Sequence, residues 1–129
     1  MKRFILVLAL LCFAILATAQ IQVTQQFYNK SLYVPNSPIL VKITIKNNSP
    51  AVYRFKLADN RMFSLRFEMK TLTNRILEPA DTWKRTISSS IPIFYREIAI
   101  QPGEEYAFVE DVQNYVKITE AGTYVFECY

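Results

Sequence analysis

Histidine is absent from all 129 residues, and cysteine and glycine occur twice each. Without histidine the chain lacks the commonest metal ligand and the commonest acid and base at neutral pH. Cys12 lies in an apolar leader and Cys128 stands one residue from the last. A chain trimmed of that leader keeps one thiol and can form no intrachain disulfide, so packing must supply its stability. With only Gly103 and Gly122, a small closed barrel, whose strands bend at glycine, is disfavoured against a sandwich. Catalysis needs a nucleophile beside a base, a carboxylate pair in a cleft, or a metal. Glu104 with Glu105, and Glu110 with Asp111, are the adjacent acids; both pairs fall at expected turns, and neighbours on a strand point apart. Glu110, Asp111 and Asn114 group oxygen donors but lack the spacing of a calcium loop. No enzymatic activity, cofactor or metal is expected.

The opening "MKRFILVLALLCFAILATAQ" joins basic Lys2 and Arg3 to an apolar run from Phe4 to Leu16, with small residues at Ala17 and Ala19. This is the layout of a secretory signal over residues 1–19, a short signal helix cut after Ala19, leaving one domain over residues 20–129. Two alternatives remain: an uncleaved anchor, for which the apolar run falls short of the ~20 residues a bilayer needs, and lipidation at Cys12, where bulky Leu11 stands in place of a small residue. The expected location is secreted or periplasmic, with no stable membrane span after cleavage. Loss of Lys2 and Arg3 takes the formal net charge from +4 to about +2, which leaves no general nucleic-acid footprint.

From Gln20 onward the pattern alternates at period two, broken by Pro, Asn and Gly. "PILVKITIKNNSP" puts Ile39, Val41, Ile43 and Ile45 on one face and Lys42, Thr44 and Lys46 on the other. "AVYRFKLADN" turns Tyr53, Phe55 and Leu57 inward, and "MFSLRFEMK" does the same with Phe63, Leu65, Phe67 and Met69. Asp59 and Asn60 suit a tight turn, so these two strands are expected to form a hairpin. Pro102 and Gly103 suit the centre of a type II turn between Ile100 and Tyr106. "IQVTQQF" reads as an edge strand, "EDVQNYVKI" as one helical turn, and "TISSSIPIFY" as a polar loop leading to an unplaced apolar segment. About seven short strands argue for an all-β, antiparallel two-sheet sandwich of immunoglobulin type.

The final "EAGTYVFECY" resembles the end of an immunoglobulin-like domain, with Glu120, Gly122 and Tyr124 in the places of a tyrosine corner. That corner belongs to a penultimate strand, which implies a missing final strand and an uncovered sheet edge. Such an edge invites dimerisation or a strand from a partner. The other readings are that this is itself the last strand, or that the gene product is cut short. A longer resemblance, from about Val41 to Tyr124, is to the BsuPI-type proteinase-inhibitor family. It is carried by "NNSP", "VYRF", "FSLRFEM", Trp83, Phe94, "IQPGEEYAF" and "GTY". It implies a compact sandwich and, as the alternative function, a loop such as Ile87 to Phe94 entering a proteinase cleft; "TNRILEPADTW" departs from the family in lacking a glycine before the tryptophan.

Charge is polarised along the chain: ten bases and four acids lie between Lys42 and Arg85, against seven acids and Lys117 alone between Glu97 and Glu127. Parity puts Arg54, Lys56, Arg66 and Lys70 on the outer face of the expected hairpin, either as a patch for an acidic protein, an anionic glycan or a lipid headgroup, or as ordinary solvated charge broken by Glu68. Nucleic acid is excluded as a partner because no aromatic residues interleave there. Trp83 is either core packing with its ring N–H on a carbonyl, or a partner anchor. Cys128 shares the parity of Tyr124 and Phe126, which buries it, unless a frayed end offers it to an intermolecular disulfide. The expected function is a non-catalytic module that binds another macromolecule, a protein first among them.

Overall fold

A computed structural model describes residues 21–28 and 36–129. The expected signal over 1–19, including Cys12, lies outside the described residues. The chain is all-β and antiparallel. Its strands are β1 (Ile21–Phe27), β2 (Leu40–Asn47), β3 (Tyr53–Ala58), β4 (Phe67–Thr71), β5 (Tyr95–Ile100), β6 (Glu105–Asp111) and β7 (Tyr124–Cys128). Among the described residues one α-helix, α1 (Asp81–Ile87), joins β4 to β5.

Alternation decides which side chains are covered. In β2, Val41 and Ile43 are buried, while Lys42 and Lys46 turn outward. In β4, Phe67 and Met69 are buried between half-exposed Glu68 and Lys70. One cluster gathers Val41 and Ile43 from β2, Leu57 from β3, Phe67 and Met69 from β4, and Phe108 from β6. Val112, Tyr115 and Val116, on and after the single 3₁₀ turn that follows β6, close it. Phe67 and Tyr115 meet edge to face at 4.7 Å, a geometry the ring quadrupoles favour.

The ladders are three. β1, β2 and β6 form one layer in that order, while β3 pairs with β5 and β4 pairs with β7. The expected β3–β4 hairpin does not form. Asn60 instead caps a 3₁₀ turn over Arg61–Phe63, accepting the Met62 N–H at 3.1 Å on its Oδ1, and the chain crosses to a different ladder. Phe63 and Leu65 accordingly lie outside β4. At the other end, β5 and β6 join through Pro102 and Gly103, with Gly103 at φ +80° and the Glu104 N–H bonded to the Gln101 carbonyl at 3.0 Å. This is the expected turn, linking two layers rather than two paired strands. Asn47, fully buried at the end of β2, donates from Nδ2 to the carbonyls of Ala51 (2.7 Å) and Ile100 (2.8 Å) and accepts from the Ser49 N–H (2.9 Å).

α1 went unexpected because seven residues are too few to establish a helical period. Its charges do fit a helix, with Asp81 in the first turn and Lys84 and Arg85 in the last, complementing the dipole.

Candidate docking groove and exposed apolar segment

The four basic residues do not share one hairpin face. Arg54 and Lys56 stand on β3, Lys70 on β4 and Arg66 just before it. Arg54 pairs with Glu97 at 3.0 Å and Lys70 with Glu68 at 3.0 Å; contact with Glu68 also holds the Lys70 pKa above its ordinary value. That leaves Lys56 and Arg66, both exposed, outside any ion pair among the described residues.

Between β3 and β7 runs a groove of 550 Å³. Its floor is the inner face of the three-stranded layer, with Val23 and Gln25 from β1, Ile43 and Ile45 from β2, and Phe108 from β6. Register fixes this orientation. Val23 lies opposite Ile45, Gln25 opposite Ile43, and Ile43 opposite Phe108, and directly opposed side chains share a face. Val23 therefore points toward the inside of the sandwich, yet it is 64% exposed. Among the described residues nothing from the opposing layer covers it.

The walls are two strand edges with no strand on them among the described residues. Arg66 and Tyr129 exchange backbone bonds of 2.9 and 2.8 Å. Antiparallel alternation then turns the backbone groups of Tyr124, Phe126 and Cys128 away from β4, toward the groove. The Phe126 carbonyl there receives a 3.4 Å bond from the Gln25 side chain. On the other wall, the Asp59 N–H reaches the Phe94 carbonyl at 2.9 Å, so Arg54, Lys56 and Ala58 turn their backbone groups away from β5. The Ala58 N–H is taken by Ser64 Oγ at 2.8 Å. Lys56 and Glu127 are the charged residues of the lining, which also includes Leu65, Cys128 and Tyr129.

Cys128 is half-buried, packs against the core, and has its thiol pushed up to about 11 by burial and by the Glu110 charge. Tyr124 makes the tyrosine-corner bond, donating its hydroxyl to the Glu120 carbonyl at 2.6 Å. Gly122 lies beneath that ring, and a Cβ there would sit 3.6 Å from the hydroxyl, in ordinary contact. Trp83, on α1, packs half-buried against the core. Its indole N–H is buried without a hydrogen-bond partner, so the expected carbonyl is not found.

A second exposed feature follows α1. Ile91 (65%), Ile93 (42%), Phe94 (69%) and Tyr95 (56%) present large apolar side chains in consecutive or near-consecutive positions. They run into β5, whose only ladder neighbour among the described residues is β3. This is the segment the sequence left unplaced, and contiguous apolar exposure of this kind marks docking surfaces.

The acids near the end of β6 are occupied by protein donors. Glu110 pairs with Arg61 and accepts the Tyr115 hydroxyl at 3.0 Å, while burial and the Glu110 charge raise the Tyr115 pKa far above its usual range. Arg61 also lies over the Phe108 ring at 5.0 Å. Asp111 accepts the N–H groups of Ile39 and Gln113 at 3.0 and 3.1 Å. Among the described residues no group of three Cys, Asp or Glu side chains converges as a metal site would. Among them, too, no helix is long and apolar enough to cross a membrane.

The model of the flagellar collar protein C N-terminal domain family matches residues 22–129, well over half of the chain, which therefore belongs to that family. No curated protein and no solved structure matches it.

Proposed function

We propose that this domain is a non-catalytic assembly module of a flagellar collar, exported by its leader and holding a neighbouring protein of that structure. Membership of the collar-protein family supports the flagellar setting. The observation that carries protein binding is the apolar run Ile91, Ile93, Phe94 and Tyr95, exposed beside the strand edge of β5. Four large apolar side chains left in water are costly unless a partner covers them, at roughly 25 cal/mol per Å² of apolar surface. The residue types suit the role, since aromatic side chains dominate interface energetics.

The test is co-sedimentation of the tagged chain with flagellar motors isolated from its own cells. The parent chain is expected in the motor fraction, and an Ile91→Ser/Phe94→Ser variant in the supernatant with its circular dichroism unchanged. Equal co-sedimentation of both would remove this segment from the reading. A parent chain that stays soluble would remove the flagellar setting. Inhibition across a panel of secreted proteinases would favour the inhibitor function that the BsuPI-type resemblance implies.

A further inference from the structure

We propose that the groove between β3 and β7 is the seat of an extended β-strand donated by a separate protein, with apolar side chains at alternate positions and carboxylates between them. This site is distinct from the apolar segment beside β5 and does not depend on it.

Three observations converge on that occupant. The first is that both walls are backbone edges, Arg54 to Lys56 on one side and Tyr124 to Cys128 on the other, with N–H and C=O groups turned into the gap. A helix or a small apolar molecule could not satisfy them, whereas a strand bonds to both. The second is the floor. Val23 and Ile45 project into the groove above buried Ile43, and Val23 stays mostly exposed although it faces the inside of the sandwich. A strand laid over them presents every second side chain downward, so those positions are apolar. The third is charge. Lys56 lines the groove and Arg66, bonded through its backbone to Tyr129, stands at its end, while Glu127, also in the lining, already accepts the Tyr129 hydroxyl. Neither is ion-paired among the described residues. The donor's outward positions pass beside them and are best filled by Asp or Glu. The length is set by the walls, since β7 offers five residues and β3 six.

The experiment is fluorescence anisotropy on the full chain. The probe is a labelled peptide alternating valine and glutamate over about seven residues. Three controls accompany it: the same residues in block order, the alternating peptide with N-methyl groups on every second amide, and a valine–lysine version. Saturable binding of the valine–glutamate peptide is expected. N-methylation removes two or more backbone bonds and should weaken it by at least about tenfold. Block order should abolish binding, and a Lys56→Glu chain should prefer the lysine peptide over the glutamate one. Three results overturn the proposal. They are no binding, equal binding of the alternating and N-methylated peptides, or a dimer in sedimentation that the peptide dissolves. The last would give the groove to a second copy of this chain.

Discussion

Asn47 ties together three parts of the chain, and its replacement by alanine has a consequence that can be worked from the bonds. Its side chain makes four: two donated to the Ala51 and Ile100 carbonyls, and two accepted from the N–H and hydroxyl of Ser49. Alanine removes all four. One loss is repaired locally, because Ser49 Oγ already lies 2.9 Å from the Ala51 carbonyl and can donate to it instead. The Ile100 carbonyl and the Ser49 N–H have no such substitute. With about 1.5 kcal/mol for each of the two groups left without a partner, Asn47→Ala should cost ~3 kcal/mol. That is a large share of the 5 to 15 kcal/mol typical of a domain, roughly speaking. Urea unfolding followed by the emission of Trp83 measures it. With a slope of roughly 1.5 kcal/mol per molar, the midpoint should fall by about 2 M at unchanged slope. Ser49→Ala should cost about 1 kcal/mol, and the double variant little more than Asn47→Ala alone, since the two side chains share one network. A loss below about 1 kcal/mol for Asn47→Ala, or additive behaviour of the pair, would refute the reasoning.

Three further expectations follow from other parts of the molecule. Cys128, with its thiol pushed from 9.0 to about 11, should react about a hundredfold more slowly with a maleimide or disulfide reagent at pH ~8 than an unburied thiol, and regain the ordinary rate in urea. The raised value also means that the folded state favours the neutral thiol. The associated stability is full below pH 9.0 and is lost as pH rises through about 11, which a pH series of thermal unfolding will show. Trp83→Phe forfeits no hydrogen bond, because the indole N–H has none. Thermal unfolding should therefore show a loss of only about 1 kcal/mol or less, from reduced ring volume; a loss of several kcal/mol would reveal a partner for that N–H. Of the two glycines, Gly103→Ala forces a side chain onto a φ of +80° and should cost about 1 kcal/mol, whereas Gly122→Ala meets only ordinary contacts and should leave the unfolding midpoint nearly unchanged.

Local features were legible because they rest on neighbouring residues. The inward set Val41 and Ile43, the turn at Pro102 and Gly103, the single helical turn near Val112 and the bond of the tyrosine corner each depend on a few side chains. Pairing was not legible. Asp59 and Asn60 look like a hairpin turn, but whether β3 meets β4 or β5 depends on surfaces far along the chain. There Asn60 spends its side chain on a 3₁₀ cap instead. Arg54, Lys56, Arg66 and Lys70 share a face only by way of that hairpin in the sequence pattern, whereas the fold carries them on or beside two separate ladders. The groove shows the same limit. The parity of Val23 can be read from "IQVTQQF", but that no opposing strand covers it is a property of the whole fold.

Among the strands, β1 hides least: six of its seven residues are exposed, and its one ladder is to β2. Under traction this arrangement would act as a mechanical fuse. Traction applied at Ile21 and directed away from β2 would strain the seven residue pairs in succession rather than together, a peeling geometry that yields at low force. The released segment would add about 24 Å of slack at ~3.4 Å per residue before tension reached Val41 or Ile43, so the hydrophobic interior would be spared.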